Sequence, residues 1–145
     1  MNAEMRALAE RAVRCKVWRW LPGMQAMPLE VFPGAHIPAR RCFGGDFWVA
    51  DGSREVRHHH AGDLLPDLTD PATLGCLLAL VREAWGDPEA YTRTQPRGGA
   101  TVWVVYVLDK GAQISRGPAM AEGSGSMLYG PTQAHALVAA LEAAP

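Results

Sequence analysis

Between Thr101 and Leu108 the chain reads Thr-Val-Trp-Val-Val-Tyr-Val-Leu. In an extended strand, alternate side chains point to opposite faces. Trp103, Val105 and Val107 therefore fall on one face, and Val102, Val104, Tyr106 and Leu108 on the other. A strand that is apolar on both faces needs cover on both. The run predicts a central strand, flanked by other strands and covered by helices.

Helices come from the 3.6-residue period. Met5, Leu8, Ala12 and Cys15, widened by Ala9 and Val13, predict a first helix over about Asn2 to Lys16. The second helix has clear ends. Asp70 is a good N-cap, Pro71 suits the first helical position, and Gly86 with Asp87-Pro88 stops it. Its buried stripe is expected to be Leu74, Leu77, Leu78, Val81 and Trp85, with small Gly75 and Cys76 allowing close approach to the sheet. A third helix starts near Thr132, with Leu137, Val138 and Leu141 as its stripe. His135 stands where a capping box would carry Glu or Gln.

Further strands are predicted from local signals. Trp18 to Leu21 reads as a short extended segment ended by Pro22-Gly23. Leu29 to Phe32 fits a short edge strand, where proline is tolerated. Phe47 to Ala50, Asp51-Gly52 and Arg54 to His58 read as a hairpin, because an Asp-Gly pair suits a type I′ turn. Ala61 to Asp70 reads as a linker whose Leu64, Leu65 and Leu68 press onto the core. Residues 87–99 read as a polar loop. Asp109-Lys110-Gly111 reads as a turn into a strand over Ala112 to Ser115. Glu122 to Ser126 reads as a loop, and Met127 to Tyr129 as a short strand. The predicted fold is α+β, an antiparallel sheet of about five strands with three helices packed on it.

Composition narrows the class. A chain of 145 residues, 48% apolar and 20% charged, suits a single domain over residues 1–145. No run approaches the roughly 18 apolar residues of a membrane span. The first residues are charged and lack an apolar signal core. Cys15, Cys42 and Cys76, odd in number and widely spaced, make neither a disulfide framework nor a zinc knuckle. A cytoplasmic protein with reduced, mostly buried thiols and no membrane partner is expected. Net charge is −1, which argues against general nucleic-acid binding. Residues 1–60 nonetheless carry nine basic against six acidic side chains, and the remainder five against nine.

Three segments carry a resemblance. Leu8-Ala9-Glu10-Arg11-Ala12-Val13 leads into Trp18-Arg19-Trp20-Leu21-Pro22-Gly23-Met24. Asp67-Leu68-Thr69-Asp70-Pro71-Ala72-Thr73-Leu74-Gly75-Cys76-Leu77-Leu78 follows. Gly130-Pro131-Thr132 then runs into Ala136-Leu137-Val138-Ala139-Ala140-Leu141. Together they resemble small proteins encoded in tailed-phage genomes, and the element order is similar to the phage ABA sandwich domain family. The segments cover under half of the chain, the middle one being the most specific. The resemblance implies an α+β phage accessory protein in the host cytoplasm. It implies no activity and carries over no catalytic residue.

Chemistry-bearing motifs are few. There is no Gly-x-Ser-x-Gly elbow, Walker loop or HExxH pattern. His58-His59-His60 could hold a metal with Asp63, or serve a small metal-dependent hydrolase with Asp63 or Asp67, but a solvated strand end is the favoured reading. Gly123-Ser124-Gly125-Ser126 reads as a flexible loop rather than a phosphate cradle. The start of the third helix, at Gly130-Pro131-Thr132, is the better anion site.

Aromatic and basic residues are richer. Trp85 and Trp103 fit core positions, whereas Trp18, Trp20 and Trp48 lie among arginines. Aromatic faces stack on bases, and arginines grip phosphates. The candidate ligand-binding residues are Arg40, Arg41, Trp48 and Arg54, with no catalytic residue, metal or cofactor. The expected function is a non-enzymatic accessory protein that sequesters a nucleotide-derived signal, a task some small phage proteins perform. A module that binds a host protein is the alternative. Either form could be a homo-oligomer, since such pockets often lie at subunit interfaces.

Overall fold

A computed structural model of the chain describes residues 3–32, 35–41, 47–50, 55–58, 64–108 and 125–145. The chain divides into two compact units, Met1–Val13 with Arg19–Cys76, and Arg14–Trp18 with Leu77–Pro145. In order the elements are α1 (Ala3–Arg14), β1 (Gln25–Phe32), β2 (Ala35–Arg41), β3 (Phe47–Ala50), β4 (Glu55–His58), α2 (Pro71–Trp85), β5 (Tyr91–Arg97), β6 (Ala100–Leu108), β7 (Gly125–Gly130) and α3 (Gln133–Glu142). Among the described residues the class is α+β, with three helices and antiparallel strands. Instead of one sheet of about five strands, the described residues form a four-stranded sheet, β1-β2-β3-β4, and a three-stranded sheet, β5-β6-β7.

In the first unit, α1 buries Leu8, Ala9 and Ala12, the centre of its predicted stripe. Trp18 to Leu21 is irregular rather than part of a sheet, and Pro22-Gly23 turns the chain into β1. The expected edge strand over Leu29 to Phe32 is the end of a longer one that starts at Gln25. Between the pairs Ala26↔Ala39 and Leu29↔Ile37 the register shifts, so Met27 and Pro28 face the single residue Pro38. Prolines donate no ladder hydrogen bond, and a bulge is where a sheet accommodates them. The β3–β4 hairpin exists, but Ala50 pairs with Glu55. The connection is therefore four residues, 51–54, rather than the two-residue Asp51-Gly52 turn. Those four lie outside the described residues.

The start of α2 is tied to the start of β1 by a polar network. Asp70 Oδ2 accepts the Thr73 N–H at 2.8 Å, which caps the helix as expected, and the Thr73 hydroxyl at 2.9 Å. Thr73 Oγ1 in turn accepts the Gln25 N–H at 2.9 Å. The Gln25 carbonyl accepts the Asp67 N–H at 2.8 Å. Thr73 is 0% exposed, so its satisfied hydroxyl carries none of the cost of a buried polar orphan. Leu64 and Leu68 are buried as expected, while Leu65 is only half-buried.

In the second unit, β6 is the central strand, with β5 and β7 antiparallel on either side. Strand β5 corrects the reading of residues 87–99 as a loop. Its sequence, Tyr-Thr-Arg-Thr-Gln-Pro-Arg, is polar because it is an edge strand with no fully buried residue. Gly98 and Gly99, both at positive φ, make the two-residue turn that pairs Arg97 with Ala100. Strand β7 likewise takes in Gly125 and Ser126, which the sequence assigned to a loop. Ala112 to Ser115 lies outside the described residues.

The helix whose backbone lies against β6 and β7 is α3. Leu137, Val138 and Leu141 are buried as predicted. Contact is closest at Gly130, where an added Cβ would sit 2.5 Å from the Ala136 nitrogen. The end of α2 joins this layer, since Trp85 Nε1 donates to the Ala140 carbonyl at 2.9 Å. Leu77 and Val81 of its expected stripe are fully buried, whereas Leu74, Leu78 and Trp85 are half-buried. Leu80, outside that stripe, is buried instead. Gly75 corrects the expectation of close approach, for it is exposed and an added Cβ would meet nothing within 4 Å.

These contacts set opposite signs for two glycine substitutions. Gly130→Ala is expected to destabilise by about 1–3 kcal/mol through overpacking. Gly75→Ala is expected to stabilise by about 0.4–1 kcal/mol, because helical glycine is entropically costly. Urea titration checks both. In the core, Leu77→Ala should cost about 2–4 kcal/mol, and Val104→Ala less, because less side chain is removed. Changes below about 0.5 kcal/mol at both Leu77 and Val104 would place the core elsewhere.

Candidate functional site

Strand register places the predicted ligand residues. Arg40 of β2 pairs with Trp48 of β3, and Trp48 pairs with Arg57 of β4. The three are successive positions in one cross-strand row, and neighbouring strands lie about 4.8 Å apart. Arg41 stands in the next row, Arg41–Phe47–His58. Adjacent rows belong to opposite faces of a sheet, so Arg41 is not on the face of Arg40 and Trp48. Arg54 lies outside the described residues. The residue of β4 opposite Trp48 is Arg57, two positions beyond the first paired residue of that strand. With a two-residue turn at Asp51-Gly52 the residue opposite Trp48 would be Glu55; the observed pairing of Ala50 with Glu55 shifts the register by two and puts Arg57 there.

The histidine reading is only partly within view. His58 ends β4 opposite Phe47, and His59, His60 and Asp63 lie outside the described residues. Asp67, the other proposed partner, accepts the Thr69 N–H at 2.9 Å and the Thr69 hydroxyl at 2.6 Å through Oδ1. That carboxylate oxygen closes a local turn. Among the described residues no group of three His, Cys, Asp or Glu side chains could hold a metal ion.

The start of α3 is occupied by its own cap. Thr132 Oγ1 accepts the His135 N–H at 3.4 Å and lies 2.8 Å from His135 Nδ1. With Gly130 pressed against Ala136, the chain itself closes over this helix end, which weakens its reading as an anion site. Cys15 and Cys76, expected to be buried, are half-buried thiols. Trp85 and Trp103, placed in the core by their pattern, are also half-buried.

A second cluster of polar and aromatic side chains escaped the sequence reading. Asp87, Glu89, Tyr91, Tyr106, Leu108 and Gly125 line a cavity of about 180 Å³ at one end of the β5–β7 sheet. Asp87 is 3% exposed. Its carboxylate accepts the Leu108 N–H at 2.8 Å and the Glu89 N–H at 3.0 Å. It therefore holds the turn into β5 against the end of β6. Two features of the sequence point to this arrangement: the Gly98-Gly99 pair, and the alternation of Tyr91, Arg93, Gln95 and Arg97 before it.

No described helix is long and apolar enough to cross a membrane. Compared with family models, with curated proteins and with solved structures, the chain matches none.

The histidine run yields a direct test. Chelator treatment of the purified protein is expected to leave its melting temperature unchanged, since a structural metal would contribute folding free energy. A fall of several degrees that zinc restores would make His58–His60 a ligand set.

Proposed function

We propose that this chain is a non-enzymatic binding protein for a nucleotide-like small molecule, taken up on the β2–β3–β4 sheet. The observation that supports it is the row Arg40–Trp48–Arg57, with an indole residue between two arginine residues one strand away on either side. That order suits a ligand with one ring to stack and phosphates to neutralise. Arg41, named with Arg40 and Trp48 from the sequence, belongs to the opposite face, and Arg54 lies outside the described residues. The resemblance to small tailed-phage proteins favours a phage accessory role in the host cytoplasm, with sequestration of a nucleotide-derived signal as the concrete form. A homo-oligomer would suit such a role.

Calorimetric titration with cyclic dinucleotides and ADP-ribose derivatives tests the reading. Trp48→Ala should weaken binding about 5- to 150-fold, the range of a lost base–aromatic stack. Arg40→Ala and Arg57→Ala should each cost about tenfold or more through lost charged hydrogen bonds. Arg41→Ala, one row away, should cost less. Failure of well-folded wild type to bind any of these ligands would overturn the proposal and leave a host protein as partner.

A further inference from the structure

All three tyrosines of the chain, Tyr91, Tyr106 and Tyr129, lie on one face of the β5–β6–β7 sheet. Tyr91, Tyr106 and Met127 form one cross-strand row, while Tyr129 pairs with Val104 one row over on the same face. Helix α3 is on the other face, where Gly130 meets Ala136 and Gln133 Nε2 donates to Thr92 Oγ1 at 3.0 Å. The end of this face around Tyr91 is open, whereas Val104 is buried and Tyr106 and Tyr129 are half-buried. Tyr91 is 46% exposed, Met127 48% and Leu108 41%, and these are the exposed large apolar residues among those described. Exposed apolar side chains gathered at one end of a face make it a candidate interaction surface.

The rings are already organised for stacking. Tyr91 and Tyr106 stack with centroids 5.0 Å apart and planes 12° from parallel. Arg93 lies 4.6 Å from the Tyr106 ring centroid, and its Nε donates to the Tyr106 hydroxyl at 3.0 Å. That hydroxyl donates to Gln95 Oε1 at 2.8 Å. Arg97 reaches across β6 to lie 3.9 Å over the Tyr129 ring. The face thus presents two stacking surfaces, the exposed Tyr91 ring backed by Tyr106 and the Arg97 guanidinium lying over Tyr129. Tyr106 and Tyr129 are offset by two residues along the strands and by one strand, roughly 6.6 Å and 4.8 Å.

Charge selects the occupant. The residues that β5, β6 and β7 place on this face include Arg93 and Arg97 and no acid. Asp87 and Glu89 stand beyond it, at the rim of the cavity next to Tyr91. A polyanion is therefore attracted along the face and repelled at that rim. Successive stacking platforms beside cations fit a polymer of ring and phosphate, whereas duplex DNA hides its ring faces.

We propose that this face binds single-stranded nucleic acid, with one base on the exposed Tyr91 ring, a second on the Arg97 guanidinium that covers Tyr129, and backbone phosphates at the N–H groups of Arg93 and Arg97. A net charge of −1 argues against a nucleic-acid coat, and the site proposed is local. It is independent of the row containing Trp48.

The test is fluorescence anisotropy with labelled oligo(dT) and oligo(U) of about 12 nucleotides, within the usual footprint of such surfaces. Single strands should bind and the duplex of the same sequence should not. Tyr91→Ala should weaken binding about 5- to 150-fold, and Tyr91→Phe should retain it. Arg97→Gln should lower the slope of log affinity against log salt by about 0.7. Both positions are exposed, and unchanged melting curves confirm folding. Absence of binding by folded wild type at about 50 mM salt would overturn the proposal. So would equal affinity for duplex, or wild-type affinity in Tyr91→Ala. Loss of oligonucleotide binding in Trp48→Ala, with Tyr91→Ala unaffected, would assign it to the other sheet and overturn this one.

Discussion

The second unit depends on how closely α3 sits on β7. A three-stranded sheet needs one face covered to be stable on its own. Here the cover is a ten-residue helix rich in alanine, with small side chains on its inner surface. Such a helix buries enough only if it comes close, and Gly130 permits that. Any side chain at position 130 would meet the Ala136 nitrogen and the His135 Cβ at 2.5 Å. Once α3 is seated, Val105, Val107, Leu137 and Val138 are shut away from water. The indole of Trp85 satisfies the carbonyl of Ala140 and fastens the end of α2 to the same layer. The opposite face is then left to carry whatever the sheet presents to its surroundings.

The first unit uses a polar fastening. Asp70 both caps α2 and accepts the Thr73 hydroxyl, and Thr73 passes the link to the backbone of β1 at Gln25. A buried network is stabilising when every member is satisfied and costly when one is not. The residues that make it, Asp67, Thr69, Asp70 and Thr73, fall in one short segment. Pro71 sits inside that segment and fixes the first helical residue without sacrificing an intrahelical hydrogen bond. The segment is therefore a local instruction for both a helix start and a strand start.

What could be read from the sequence followed the range of the forces involved. Helix ends were legible because caps are local: Asp70, Pro71, Gly86 and Thr132 each announce themselves. Strand β6 was legible because a run apolar on both faces has few other uses. Strand β5 was not, since an edge strand on a half-open face carries polar residues and even Pro96 without penalty. The division into two sheets also escaped the pattern, because strand partnership is a tertiary property. For the candidate ligand residues the limit was register. Arg40 and Trp48 meet in one row, but a four-residue connection in place of two brings Arg57 opposite Trp48. A local turn signal at Asp51-Gly52 could not reveal that. The tyrosine cluster was hidden for a related reason, as it takes two strand pairings to bring Tyr91, Tyr106 and Tyr129 onto one face.

An exposed aromatic and apolar face at the end of a sheet is a hazard unless something restrains it. Edge strands pair with other chains when they are flat and unguarded. Strand β5 is guarded by Pro96, which withholds a donor, and by Arg93 and Arg97, which keep charge along the edge. The same arginines lie against Tyr106 and Tyr129. A guanidinium over a ring holds the aromatic surface in place while keeping it hydrated at its margin. Tyr91 is exposed while Tyr106 and Tyr129 are half-buried under Arg93 and Arg97, so positive charge borders the aromatic surface and discourages association with a second sheet edge.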